Sequence, residues 1–399
     1  MTANAARSVP TSARLAIAMV IVATTVGVLP VFLLGGLAVQ VRADLGLSET
    51  GLGLTVAMFF GASAVFSIPG GRYSERIGAE RGILLGAVAS FTCLLGIAVA
   101  ARSLPILLLC VAVGGAGNGV TQPASNLALA RYVRTGRHGV AFGLKQSSIP
   151  TATLLGGLAV PLVALTVGWR WAYAGGAMAA AALALWALSR PSSAVGPSKR
   201  PSAHHRGGLR SLVVLAIAGG LASAAANSLA AFLVLGGVSA GLTPGLAGIT
   251  LSVGSAWGIA ARLTLGWIAD RRHGGALGMV TWLLVAGAAG FAALSSGVVP
   301  WLHVLGTLLG FGAGWGWPGL FNLAIVRSHP EAPAAATGVT QTGVYAGGVL
   351  GPPAFGLIVE TASYRAAWLA AAAALLLAAG LIISQAQARA RGAQLGTSR

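Results

Sequence analysis

The sequence predicts an all-α membrane protein of 12 transmembrane helices, arranged as two six-helix repeats. Three observations carry that prediction. First, 56% of the 399 residues are hydrophobic and only 8% are charged, with a mean hydropathy of +0.83. Soluble domains carry about 25% charged residues, and a water-exposed fold of this size needs more polar surface than this chain owns. Second, twelve apolar stretches each approach the roughly 20 residues that cross a bilayer at about 1.5 Å per residue. Third, a shift of 195 residues aligns the two halves of the chain without a gap.

Spans 1 to 6 are expected at 15–40, 51–71, 82–100, 104–130, 140–165 and 169–189. Spans 7 to 12 follow at 211–238, 244–269, 275–295, 299–326, 335–360 and 364–386. The first stretch is too long for a signal-peptide core, and Thr24, Thr25 and Pro30 interrupt it without a clear cleavage site, so it reads as a retained span. The one long polar insert, 190–210, is rich in Pro, Ser, His and Arg and reads as a flexible linker. The chain therefore divides into an N-terminal bundle 1–189, the linker, and a C-terminal bundle 211–399. Within the repeat, Gly46-Leu47-Ser48 falls on Gly241-Leu242-Thr243, Gly71 on Gly266 and Pro123 on Pro318. Gly143 falls on Gly338, Gln146 on Gln341, Gly156 on Gly351 and Arg170 on Arg365. These are the turn, kink and close-packing positions that a duplicated unit would share.

The formal charge of +18 would point to nucleic acid in a soluble protein. Here the basic residues punctuate apolar runs, so no nucleic-acid partner is expected. With both termini cytoplasmic, nineteen of the twenty-five fall on inner loops and tails, and four (Arg42, Arg102, Arg170, Arg365) fall outside. That bias satisfies the positive-inside rule. It predicts a multi-pass protein of a bacterial cytoplasmic (inner) membrane, with the lipid bilayer as its partner and a monomer as its working unit. Cys93 and Cys110 both lie in apolar stretches and form neither a disulfide framework nor a metal set. The spans hold no convergent Ser/His/Asp group or acid pair, so no enzyme and no cofactor is expected. The glycine-rich runs 114–119 and 310–316 lack the strand, Lys-Ser/Thr and ribose acid of a nucleotide site.

Two segments carry a family resemblance. After span 2 the chain reads Gly71-Arg-Tyr-Ser-Glu75-Arg76-Ile-Gly78, and after span 8 it reads Gly266-Trp-Ile-Ala-Asp270-Arg271. Both resemble the inner-loop signature of the major facilitator superfamily, Gly-x-x-x-Asp-Arg-x-Gly, with Glu75 keeping the charge of the usual Asp. The resemblance implies the fold of that superfamily and secondary transport by alternating access. It also implies a gating role for Gly71, Glu75, Arg76, Gly78, Gly266, Asp270 and Arg271: the acid meets a helix N-terminus, a contact worth up to about 1 kcal/mol, in one conformation only.

In such a fold the substrate passes between the halves at mid-membrane, where polar side chains are expensive and point to function. The seven acids, Asp44, Glu49, Glu75, Glu80, Asp270, Glu331 and Glu360, all fall in loops or at span ends. What the spans hold instead is cationic: Lys145 and Arg262. Arg262 precedes Gly266 by four residues, the spacing of the substrate-pairing Arg in the monocarboxylate and oxalate–formate transporters that this superfamily includes. A guanidinium suits a carboxylate bidentately, although an Arg there can also bridge helices. Lys145 is shallow enough to snorkel. Asn118, Gln122 and Asn126 stack on one face of span 4, as cavity ligands or as interhelical glue. Gln146, Gln341, Trp315, Phe321 and Tyr345 complete the expected small-molecule site. The favoured substrate is a small organic anion, coupled to H+ or to a counter-substrate. The alternative is a drug or metabolite exporter, with His303 as a titrating group.

Overall fold

A computed structural model describes residues 11–132, 143–191, 209–271, 275–297, 299–329 and 333–397. Every regular element among them is helical. Eleven of the described helical runs are long and apolar enough to cross a membrane. They are Arg14–Gly36, Glu49–Ile77, Ala79–Ala100, Leu104–Tyr132, Gly143–Ala164, Trp169–Leu188, Arg210–Ser239, Pro244–Ala269, Ala276–Leu294, Ala336–Thr361 and Tyr364–Gln385, matching spans 1–9, 11 and 12.

Span 10 departs from the expectation of one continuous helix. It consists of Pro300–Leu309, a π-helical turn Gly310–Gly314, an unwound step and a second helix Pro318–Ser328. Local sequence and packing combine here. Pro318 has no N–H to return to the preceding turn, and two indoles, Trp315 and Trp317, must be seated beside it. At Gly316 a Cβ would lie 2.1 Å from the Gly312 carbonyl oxygen, so the tight turn admits only glycine. Span 1 also differs: its helix Thr11–Gly36 stops at Leu37, and a short helix Ala38–Leu45 follows.

The motif segments are helical, not loops as expected. Span 2 continues through Glu75 and Arg76 to Ile77, and the chain turns only at Gly78, with φ of 97°. Span 8 likewise runs to Arg271. Ser74 accepts the turn by its carbonyl, to which the Gly78 N–H donates at 2.9 Å. At the opposite end of the bundle, the repeat-related turns Gly46 and Gly241 both adopt left-handed φ, 64° and 94°. These two ends are called the Gly78 end and the Gly46 end below.

Large apolar side chains cover the outside of the bundle, among them Val65, Leu109, Met178 and Leu350. Such a surface would aggregate in water and suits lipid. Exposed tryptophans flank it at both ends, with Trp171 and Trp301 toward the Gly46 end and Trp267 and Trp282 toward the Gly78 end. Indoles favour the two membrane interfaces.

The helix contacts repeat with the sequence. Span 1 packs on span 5 as span 7 packs on span 11, and span 3 on span 6 as span 9 on span 12. Between the two sets, span 2 lies on span 11 and span 5 on span 8, two seams that exchange places under the 195-residue shift. Both seams are tightest toward the Gly46 end. A Cβ at Gly53 would lie 2.4 Å from the Pro352 oxygen, and one at Gly248 would lie 2.7 Å from the Gly157 oxygen.

Candidate functional site

A cavity of about 150 Å³ opens where spans 1, 2, 4, 5, 7, 10 and 11 meet. Its walls include five pairs of positions related by the repeat: Val28 and Ser223, Phe32 and Asn227, Gln122 and Trp317, Gln146 and Gln341, Ile149 and Val344. The cavity therefore straddles the relation between the halves. Phe60, Asn118, Trp315, Pro318, Phe321, Asn322, Tyr345 and Gly348 complete it. The lining is six carboxamides set among six aromatic rings, with no charged side chain.

Seven of the ten expected site residues line this cavity: Asn118, Gln122, Gln146, Trp315, Phe321, Gln341 and Tyr345. Span 4 supplies a tied chain of polar groups. Gln122 Nε2 donates to Asn118 Oδ1 at 3.2 Å, Asn118 Nδ2 donates to Ser63 Oγ at 3.0 Å, and Ser63 Oγ donates to the Gly115 oxygen at 3.0 Å. In span 7, Asn227 Nδ2 is occupied by the Ser223 oxygen at 2.9 Å, while Ser223 Oγ donates to the Val344 oxygen of span 11 at 2.8 Å. Trp315 leans on Phe32 and Phe311 at centroid distances of 5.8 and 5.6 Å, and Trp317 meets Phe321 edge to face at 5.4 Å.

Asn126, Lys145 and Arg262 are not part of the wall, and Asn126 is exposed. Lys145 does not snorkel. It is buried, and its Nζ reaches across to span 4, donating to Asn126 Oδ1 at 2.5 Å and to the Gln122 oxygen at 3.3 Å. Asn126, one turn below Gln122, is thereby turned toward span 5. Arg262 reaches across to the unwound step of span 10, where Nη2 donates to the Trp315 oxygen at 2.6 Å. That carbonyl is free because the helix is broken there. Its guanidinium stands 5.5 Å from the Trp315 ring centroid, and Nη1 is buried with no partner. Both cations are thus bonded only to neutral oxygens, one residue removed from the cavity wall. The ion pairs among the described residues, Arg42–Glu49 at 2.7 Å and Arg170–Asp44 at 2.5 Å, are both at the Gly46 end.

In the motif segments, Glu75 is half-buried and has no hydrogen bond or ion pair among the described residues, and Arg76 is exposed. Gly71 packs against Pro123 of span 4, while a side chain at Gly266 would meet open space. Arg271 stacks over Trp267 at 3.8 Å. The backbone of Asp270 is in the span 8 helix; its side chain, and Glu331, lie outside the described residues. Among the described residues, Glu75 makes no contact with a helix N-terminus in this conformation. The acid that is engaged at this end is Glu80, which is buried and accepts the Tyr132 hydroxyl at 2.6 Å, joining spans 3 and 4.

Several wall residues escaped the sequence reading. Phe32 and Phe60 look like ordinary apolar span residues, and Ser223 looks like a small interface residue. The repeat could have found two of them, since Phe32 is the partner of Asn227 and Ser223 the partner of Val28.

A duplicated helical bundle with an amide-bearing cavity between its halves defines a multi-pass membrane transporter. The family model of the Major Facilitator Superfamily matches residues 15–296 and 215–394, and the chain belongs to that superfamily. Its fold resembles that of a bacterial homologue of the human lysosomal transporter Spinster, solved in inward-facing occupied and unoccupied conformations. The TM-scores are 0.72 and 0.75 at 15% identity, covering 94% and 95% of this chain and 97% and 98% of those. A mutant of the nucleoside transporter NupG is similar with a TM-score of 0.75 and 14% identity, over 93% of this chain and 99% of that one. Among curated sequences, a probable chloroplastic anion transporter of Oryza sativa subsp. japonica is 30% identical over 161 residues. That stretch is 40% of this chain and spans about a quarter of the rice protein, 27%.

Proposed function

We propose that the chain is a secondary active transporter working by alternating access, and that it carries a small organic anion, most simply a carboxylate. The observation that carries this reading is the pair of interior cations. Lys145 and Arg262 have only neutral oxygens as partners, one residue behind a cavity lined by amides and rings. An Arg at mid-membrane costs about 2.5–3.5 kcal/mol on insertion scales, and a carboxylate in the cavity would offset that cost for Arg262. Two cations with no carboxylate beside them also set a positive potential in the cavity, which attracts an anion. The short match to a probable anion transporter supports the same reading.

The six-helix units 1–189 and 211–399 would rock about the central cavity, joined by the linker 190–210. By the charge count the Gly78 end is cytoplasmic, as are both termini, in a bacterial inner membrane. Closure at the Gly46 end then makes this the inward-facing arrangement. One chain encloses the whole cavity, so a monomer suffices. Coupling would run through H+ or a counter-substrate.

Uptake of labelled organic acids into vesicles reconstituted with the purified protein tests the reading. We expect accumulation of at least one acid and a loss of tenfold or more with Arg262→Ala. No accumulation of any acid, with Arg262→Ala indistinguishable from the parent, would contradict it.

A further inference from the structure

We infer that the anion is a single-ring aromatic monocarboxylate, its ring packed on the aromatic lining of the cavity and its carboxylate bonded by the unengaged carboxamides. This rests on the anion reading above and narrows it. Three independent features point the same way.

The first is size. A space of about 150 Å³ is far below the roughly 300–1,000 Å³ of sites that take drug-sized molecules. An apolar cavity of about 150 Å³ takes one benzene-sized body.

The second is the shape and chemistry of the walls. Phe32 and Phe60 from the first half and Trp315, Phe321 and Tyr345 from the second line the same space. Phe32 and Trp315 already approach one another at 5.8 Å with an interplanar angle of 53°. Rings prefer offset or edge-on partners at centroid separations of about 4.5–7 Å, so a planar ring entering here finds aromatic partners from both halves. An aliphatic chain would gain burial but not these contacts.

The third is which amides are free. Asn118 and Asn227 spend their N–H groups within the protein, on Ser63 and Ser223. Gln146, Gln341 and Asn322 line the cavity and make no hydrogen bond among the described residues. Two of them, Gln146 and Gln341, are related by the repeat and come one from each half. A carboxylate has two oxygens and about four acceptor sites, so one glutamine from each half could donate to it at once. Such a ligand ties spans 5 and 11 together, and it leaves Lys145 and Arg262 to act through their field and not by contact.

Benzoate, cyclohexanecarboxylate and benzamide separate the two parts of this proposal, because they remove the ring and the charge one at a time. Binding of each to the purified full-length protein is read by competition against labelled benzoate and by quenching of tryptophan fluorescence. Benzoate is expected to bind about threefold to tenfold tighter than cyclohexanecarboxylate, the range that ring–ring contacts supply, and at least tenfold tighter than benzamide. Gln341→Leu and Gln146→Leu should each weaken benzoate by about tenfold to a hundredfold, the loss of one charge-assisted hydrogen bond, and benzamide, a neutral acceptor, by less. Equal binding of benzoate and cyclohexanecarboxylate would overturn the ring assignment and leave the anion reading standing. Equal binding of benzoate and benzamide would overturn the anion reading itself. Binding of a short aliphatic acid such as lactate in place of benzoate would also overturn the ring assignment alone, and no binding of any of the four would overturn both.

Discussion

The two seams between the halves are the same structure built twice and locked differently. Gly53 of span 2 and Gly248 of span 8 occupy equivalent places, and each lets a backbone of the opposite half approach to contact. At the seam of spans 2 and 11 a charged group then adds a clasp: Glu360, at the end of span 11, accepts the Thr50 N–H at 2.8 Å and the Thr50 hydroxyl at 2.7 Å. The carboxylate caps the N-terminus of span 2 from the other half, alongside Ser48, whose Oγ accepts the Gly51 N–H within its own chain turn at 3.0 Å. At the seam of spans 5 and 8 the position equivalent to Glu360 is Leu165, which rests beside Gly245, and the polar contact is a single Ser252 hydroxyl donated to the Leu154 oxygen at 3.1 Å. Close backbone approach is therefore common to both seams, and the electrostatic clasp belongs to one. The difference assigns shape to the glycines and a bias between conformations to Glu360.

The largest effect should come from filling a seam. Gly248→Leu places a side chain 2.7 Å from the Gly157 oxygen and Val160 Cβ, and Gly53→Leu meets the Pro352 backbone in the same way. Overpacking typically costs about 1–3 kcal/mol, and here opening the seam relieves it. Each variant should remain folded, with transport reduced more than tenfold. The population open at the Gly46 end can be read from the labelling rate of a cysteine at Asn227, in a background without Cys93 and Cys110, by a membrane-impermeant maleimide. Both variants should label at least tenfold faster than the parent.

A middle effect belongs to the clasp. Carboxylates at exposed helix N-termini contribute about 0.3–1 kcal/mol. Glu360→Ala should thus speed the same labelling by about twofold to fivefold, and Glu360→Gln, which retains one acceptor, by less. Leu165→Glu should give the smallest effect, slowing labelling by no more than about threefold if the new acid caps the start of span 8 as Glu360 caps span 2. Labelling that responds equally to Glu360→Ala and to an alanine at an unrelated exposed acid such as Asp44 would erase the distinction between the seams.

Most of this architecture is legible in the chain because it is set by length, hydropathy and repetition. The offset of 195 residues that pairs Gly46 with Gly241 also pairs Gln146 with Gln341 in the cavity wall. Span 10 was less legible. Gly310, Gly312 and Gly314 match Gly115, Gly117 and Gly119 of span 4, and Pro318 matches Pro123, yet Leu104–Tyr132 stays one helix and span 10 unwinds at Trp315. The difference lies in the indoles at the positions of Val120 and Gln122, and seating them depends on packing against span 1. The burial of Lys145 was not legible either, since depth along a span says nothing about which neighbour covers a side chain. Nor could the sequence separate Asn126 from Asn118 and Gln122: all three share a helix face, but only the lower one falls opposite Lys145. Near the Gly78 end, Glu80, five residues beyond Glu75, is bonded in this conformation, and nothing in the sequence marks it out from Glu75.

The central claim is that one cavity binds an organic anion and is exposed alternately to the two sides by the seams. Counterflow tests it most directly, because exchange needs no coupling gradient. Vesicles loaded with unlabelled benzoate and diluted into labelled benzoate at mildly alkaline pH should show a transient overshoot with the parent protein. They should show none with Gly248→Leu, even though that variant still binds benzoate in detergent. An equal overshoot with both proteins, or none with the parent against benzoate and every other organic acid tried, would contradict the account.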